Sequence, residues 1–367
     1  MREKQQDGKP RFEMHMFLSI KTKHFRHEFK KQLITTILMA LLAISFLPVY
    51  GCSKKSDEQI KELKKITFVL DYTPNTNHLG LYVAKNKGYF KEAGFEVEIQ
   101  QPPDSGADAL VASGKAQFGI SFQDWMANYL GSDSPLPVTA IAAITQHNTS
   151  SILSKSDSGI KTPKDLSGKT YGSMGVDSEL SILKSLVNED GGNFDSVNIV
   201  ENNAVDEMQG LNSGLFDCVW SYDAWGVLMC KLNGMDVNTI SIASLNETFD
   251  YYTPIIIANN DYINSNPDET KSFLSAIKKG YEFACKNPEE ASQILLSEDK
   301  TLDENLVKAS SVEIAKSFID DTNFEEGASN WGKFDENRWA KFYIWMNEQN
   351  LTKKTLDPTS GFTNAYL

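Results

Sequence analysis

Short β-branched runs alternate along the chain with longer stretches in which apolar positions recur every three or four residues, and polar loops separate the two kinds. Ile66–Leu70 is the first run. Asp71-Tyr72-Thr73-Pro74 stops it, Asn75-Thr76-Asn77-His78 follows, and Leu79–Lys87 then carries a helical pattern that Gly88 closes. Further strands are predicted at Glu96–Gln100, Phe118–Ser121, Val138–Ala143, Thr170–Gly172, Val197–Val200, Cys218–Trp220 and Ile255–Ala258. Beyond Asn266 the pattern turns helical, over Pro267–Asn287, Pro288–Leu296, Leu302–Phe318 and Glu336–Gln349. Strands alternating with helices imply an α/β fold with mostly parallel sheets.

One pattern repeats. Ser113-Gly114 followed by Phe118, Ser121-Phe122-Gln123-Asp124-Trp125 has a counterpart 100 positions later in Ser213-Gly214, Cys218, Ser221-Tyr222-Asp223-Ala224-Trp225. Each copy follows a helix (Ala107–Ala112 and Val205–Asn212) that the glycine ends. The echo predicts two lobes of similar build, each aiming one strand end at a shared cleft. Residues 63–149 and 254–367 are assigned to one lobe and 150–253 to the other. Crossings are expected near Asn148–Leu153 and Glu247–Pro254, and two crossings make a hinge.

The amino-terminal part reads differently. Lys30-Lys31 precede the apolar run Leu33–Tyr50, which ends at Gly51-Cys52. A basic flank, an apolar core and a small residue before the cut describe a secretory signal. About 18 apolar residues is also near the lower limit for a membrane span, but Pro48 and the Val49-Tyr50-Gly51-Cys52 pattern favour cleavage. The stretch before the run is long for such a signal, which makes Met14 and Met16 alternative starts. Residues 1–51 are read as the signal region and 52–65 as a charged tether.

Composition narrows the partners. Residues 52–367 hold 27 basic and 45 acidic groups, a formal charge of −18, which argues against nucleic acid or anionic lipid. Cys218, Cys230 and Cys285 form no regular framework, although a Cys218–Cys230 bridge is open. There are only five histidines, with His15, His24 and His27 ahead of the apolar run, so no metal site is expected. No arginine occurs between Arg26 and Arg338. Tight recognition of an anion commonly uses the guanidinium fork, so a neutral or cationic ligand fits better.

Candidate ligand contacts sit in the loops after the strands. Aromatic groups there are Tyr72, Phe122, Trp125, Tyr222, Trp225, Tyr251 and Tyr252. Polar neighbours are Asp71, Asn77, His78, Gln123, Asp124, Ser173, Asp177 and Asp223. Rings can sandwich a flat heterocycle, and a carboxylate or amide can accept from its exocyclic amine. Each has a plainer reading: Trp125 and Trp225 as packing residues, His78 as a structural histidine, Asp71 as a cap. Tyr251 and Tyr252 point to opposite sides of an extended chain, so one of them is expected to face the ligand, and Tyr252 is taken.

Five blocks resemble a known family: Asp71–Gly80, Ala107–Phe118, Thr162–Gly172, Asp250–Asn259 and Lys279–Leu296, with the tail Phe362–Leu367. They look like the solute-binding proteins of ABC importers with the type II periplasmic-binding fold, in the NMT/SsuA-like branch that includes binders of sulfonates and thiamine-pyrimidine precursors. Asn75-Thr76-Asn77-His78, Asp250-Tyr251-Tyr252-Thr253-Pro254 and Phe362-Thr363-Asn364 carry the pyrimidine likeness. The resemblance extends to Val49–Cys52, which is similar to a bacterial lipobox and implies lipid on Cys52. It implies a two-lobed monomer outside the cell membrane, without catalysis or cofactor, that captures a formylaminopyrimidine-like solute for a permease and its ATPase. Another neutral heterocycle or a sulfonate is the alternative ligand. Related fungal pyrimidine synthases carry a cysteine-rich CCCFC-type segment, and nothing comparable occurs here. One departure stands out. Such binders carry a glutamate in the loop after the second lobe's strand, where this chain has Asp223.

Overall fold

A computed structural model describes residues 62–319 and 330–367. The expected export signal, Cys52 and most of the tether lie outside the described residues. Among the described residues no helix is long and apolar enough to cross a membrane.

Among the described residues ten strands form in chain order: β1 (Lys64–Val69), β2 (Phe95–Gln100), β3 (Phe118–Ser121), β4 (Val138–Ala143), β5 (Ser150–Lys155), β6 (Thr170–Ser173), β7 (Asn198–Glu201), β8 (Cys218–Tyr222), β9 (Val237–Ser241) and β10 (Ile255–Asn259). They make two five-stranded sheets, ordered β2-β1-β3-β10-β4 and β7-β6-β8-β5-β9. The two orders are one topology used twice. In both, the third strand of the parallel set lies in the centre, beside the strand that directly follows a crossing between the lobes.

That intruding strand is where the sheets depart from the expected parallel arrangement. β10 runs antiparallel to β3 and β4, and β5 runs antiparallel to β8 and β9. Both are entered directly from the connections between the lobes, 144–149 and 242–254. A chain arriving from the cleft side must run away from it, opposite to strands that end there. The first crossing was expected near Asn148–Leu153, yet most of that stretch is already strand β5. Its Ser150, Ser151 and Ser154 are buried, and so many hydroxyls hide a strand from a reading based on apolar runs. The edge strand β9, Val-Asn-Thr-Ile-Ser, escaped for the same reason.

Helices fill the faces of the sheets. In the first lobe Phe273, on the helix Pro267–Lys286, is a hub of the core. It stacks on Phe118 with ring centroids 4.3 Å apart and on Phe90 at 5.2 Å, and takes the edge of Phe95 at 5.6 Å. The same helix crosses Leu79–Asn86 at a glycine pair: a Cβ on Gly280 would stand 2.0 Å from the carbonyl oxygen of Gly80. The helix Leu302–Phe318 of the sequence reading is shorter, Glu304–Ile314, with Asp303 capping it and a 3-10 turn after it.

The two connections are tied to each other. Asn148 donates its backbone N–H to Asp250 Oδ1 (2.9 Å) and its amide to the Phe249 carbonyl (2.9 Å). His147 Nδ1 lies 2.7 Å from Asp250 Oδ2. Arg338, the one arginine after Arg26, donates to the Gln146 carbonyl, stands 3.8 Å from Asp250 and lies over the Tyr252 ring. Cys218, Cys230 and Cys285 are free thiols, so the possible Cys218–Cys230 bridge is not formed. Burial pushes the Cys218 thiol up to about 12.

Candidate functional site

The sheet directions create the site. β3 and β8 end at Ser121 and Tyr222, where β10 begins (Ile255 opposite Ser121) and β5 begins (Ser150 opposite Tyr222). The loops leaving the parallel strands and those entering the antiparallel ones therefore gather at one edge of each sheet, the usual binding edge of an open α/β sheet.

A cavity of about 70 Å³ opens there. The first lobe contributes Phe122, Asp124 and Trp125, after β3, and the second connection contributes Tyr251 and Thr253, before β10. The second lobe contributes Met174, Val176, Ser178 and Glu179, after β6, and Trp220 and Tyr222 from β8. The lobes touch across it, since Ser178 Oγ donates to Asp124 Oδ2 at 2.9 Å. Five aromatic rings and two carboxylates face the space, and among the described residues no Lys, Arg or His does.

Phe122, Asp124, Trp125, Tyr222 and Tyr251 are thus the residues named from the sequence that line the cavity. Trp125 is 38% exposed and meets Phe122 edge-on at 4.9 Å. Ser173 stands one step behind, donating to Glu179 Oε2 at 3.0 Å. The other candidates are used elsewhere. Gln123 is fully buried and staples two segments: its amide donates to the Trp339 carbonyl, and its Oε1 accepts from the Tyr252 N–H. His78 is buried as well. Its Nδ1 accepts from the Asn75 backbone N–H, so the proton sits on Nε2 and is donated to Asp71 at 2.7 Å. Those bonds fix the loop after β1. Tyr72 is largely exposed, the Asn77 carbonyl accepts from Tyr281 Oη, and Asp177 is exposed at the first position of the helix Asp177–Glu189.

Three placements correct the sequence reading. Tyr251 faces the cavity, stacked on Phe342 at 4.1 Å, whereas Tyr252 is buried among Phe334 and Trp339 and its Oη accepts from the Asp335 N–H. Asp223 accepts from Ser151 Oγ at 2.7 Å and does not line the cavity. Trp225 packs into the first lobe's core instead of matching Trp125, since a five-residue π-helical turn, Asp223–Val227, follows β8 where a regular helix follows β3.

The glutamate that reaches the cavity is Glu179, which sequence reasoning missed. It accepts from Tyr171 Oη (2.8 Å), Ser173 Oγ and the Met174 N–H. It lies two residues into a helix whose opening loop had been flagged, and helical phase turns Ser178 and Glu179 inward while Asp177 faces water. Trp220 was missed too, having been read only as a strand residue.

Burial raises the Asp124 carboxyl to about 6, against the lowering effect of the Ser178 hydroxyl and nearby backbone N–H groups. Tyr222, although its ring is partly exposed, holds its proton above the ordinary tyrosine range through shielding from water and the nearby Asp124, Asp71 and Glu179 carboxylates. The site thus offers acceptors of hydrogen bonds and flat apolar walls, the features that hold a planar ring bearing an amine.

The family model described as NMT1/THI5 like matches residues 75–291. A formylaminopyrimidine-binding protein of Halalkalibacterium halodurans is 26% identical over 335 residues, 89% of this chain and 98% of that one. A 4-amino-5-hydroxymethyl-2-methylpyrimidine phosphate synthase of Saccharomyces cerevisiae is 27% identical over 237 residues, 62% of this chain and 69% of that one. Among solved structures, the periplasmic aliphatic sulphonate-binding protein of Escherichia coli superimposes with a TM-score of 0.61 at 14% identity, covering 83% of this chain and 99% of the other. The periplasmic nitrate-binding protein of Synechocystis gives 0.62 at 12%, covering 81% and 84%. The fold is therefore that of the two-lobed periplasmic binding proteins, and the chain belongs to the NMT1/THI5-like family.

Proposed function

We propose that the protein is the solute-binding component of an ABC importer, held outside the cell membrane by lipid on Cys52, and that it captures a thiamine pyrimidine precursor of the formylaminopyrimidine type. The observation that carries this reading is the cleft itself: rings from both lobes, two carboxylates, and no basic group among the lining residues. An exocyclic amine donates to Asp124, and the ring lies against Trp125, Tyr222 and Tyr251. A sulfonate finds no counter-charge there. The likeness to the Halalkalibacterium protein over nearly its whole length supports the ligand class. The yeast relative is a synthase by name. Among the described residues no lysine, cysteine or histidine lines this cavity, which supports capture over turnover.

Binding follows from closure. The lobes turn about the 144–149 and 242–254 connections, the ligand is buried, and a permease reads the closed form. Calorimetric titration of the purified protein with N-formyl-4-amino-5-aminomethyl-2-methylpyrimidine tests the reading. One-to-one binding at micromolar concentration or tighter is expected, weakened at least tenfold by Tyr222→Ala. No heat at millimolar ligand sinks the pyrimidine assignment.

A further inference from the structure

Trp220 carries a donor that the protein leaves unused. It sits in the middle of β8, paired with Ile152 of β5, is 5% exposed and lines the cavity. Its indole Nε1 is buried and has no hydrogen-bond partner among the described residues. Other buried tryptophans are treated differently: Trp331 Nε1 donates to the Ile144 carbonyl and Trp339 Nε1 to the Ser360 carbonyl. A buried N–H without a partner is costly, so its survival at a binding cavity points to a partner that arrives with the ligand.

The acceptors around the cavity narrow what that partner is. Glu179 is already engaged by Tyr171, Ser173 and the Met174 N–H, which leaves Asp124 as the carboxylate with capacity toward a ligand amine. An amine alone would satisfy Asp124 and leave Trp220 empty. A ligand that also presents a carbonyl oxygen satisfies both, one from each lobe. Resting on the pyrimidine reading above, we infer that Trp220 is a specificity-determining residue: its indole N–H donates to the formamide oxygen of the ligand and so distinguishes the formylated compound from its free amine.

The discrimination has a physical source beyond one hydrogen bond. With two carboxylates at the cavity, electrostatics by themselves favour the cationic free amine over the neutral formamide. A site that prefers the formamide needs a donor aimed at its oxygen, because rejecting the compound that lacks a hydrogen-bonding partner is the strong form of selectivity. Beside the hydroxyls of Tyr222 and Tyr251, which also line the cavity, Trp220 is the lining donor that is buried without a partner among the described residues.

The experiment compares wild-type protein and Trp220→Phe, which keeps an aromatic ring and removes the N–H. Each is titrated with the formylated pyrimidine and with its deformylated amine. The expected result is a loss of roughly tenfold for the formylated ligand in the variant, with the amine changed by less than twofold. Equal loss for both ligands means that Trp220 only packs, and no loss for either means that the N–H is not read; both overturn the inference. Should the variant fail to fold, wild-type protein with 15N-labelled tryptophan decides. One indole N–H resonance moves downfield with the formylated ligand and stays in place with the amine, and a spectrum without that shift is fatal to the idea. If wild-type protein binds neither compound, the pyrimidine reading itself fails and this inference falls with it.

Discussion

Asp124 combines two demands that pull against each other. Its carboxyl is buried, accepts from Ser178 across the cleft and is raised to about 6. A carboxyl whose folded pKa exceeds its unfolded value binds more protons when folded, so stability is full below the unfolded pKa and is lost as pH climbs through the folded one. The window therefore runs from about 4 to about 6, and the gap corresponds to roughly 3 kcal/mol. Asp124→Asn keeps an oxygen for Ser178 and removes the charge. Ligand-free Asp124→Asn protein is expected to melt several degrees above wild type at pH 7.5, at roughly 2–4 °C per kcal/mol. The difference should vanish at pH 3.5. Ligand affinity should fall tenfold or more, because an amide is a weaker acceptor for an amine. Thermal melts at the two pH values, paired with titrations, check both halves. A variant that melts below wild type at pH 7.5 would show that the charge stabilises the fold.

At the scale of elements, packing is set by small residues where helices cross. Gly80 and Gly280 let the helices Leu79–Asn86 and Pro267–Lys286 approach so closely that a Cβ at 280 meets a backbone oxygen, which has no side-chain freedom with which to move aside. Gly280→Ala is expected to cost about 1–3 kcal/mol, by analogy with other overpacked sites. The cost should appear as a lower denaturant midpoint with unchanged ligand affinity, since the crossing lies away from the cavity. The elements themselves were largely legible. β10 opens on a continuous apolar run, β1 and β3 carry short β-branched or aromatic stretches, and the helices after Asn266 carry their period openly. β5 was not, because its serines look like a linker until a neighbouring strand accounts for their burial. The site was legible only in part, for a related reason. Alternation told that Tyr251 and Tyr252 face opposite ways, but which of them meets the cleft depends on Phe342 and Trp339, some 90 residues on. Glu179 was hidden by helical phase, and Trp220 by lying within a strand rather than after it.

For the whole molecule, the charge most sharply singled out by the sequence works at the hinge. Arg338 ties the Gln146 carbonyl and Asp250, one from each connection, and leaves the cavity without a guanidinium. Arg338→Gln keeps a donor but shortens the side chain and removes the charge, leaving Asp250 with His147 and Asn148. Loss of one partner of a partly buried pair predicts destabilisation of about 2–4 kcal/mol. The same change should loosen the lobes, seen as a larger radius of gyration of ligand-free protein in solution scattering that contracts when ligand is added. Scattering indistinguishable from wild type would remove Arg338 from control of the hinge.

The exchanged strands also fix an order of completion. The second sheet is built wholly from residues 150–241, a continuous stretch. The first cannot close until 255–259 arrive, because β10 lies between β3 and β4 and supplies the hydrogen-bonding partner of each. A chain emerging amino-terminus first therefore holds β4 apart from the rest of its sheet while more than a hundred further residues follow. The half that comes first is the half that finishes last.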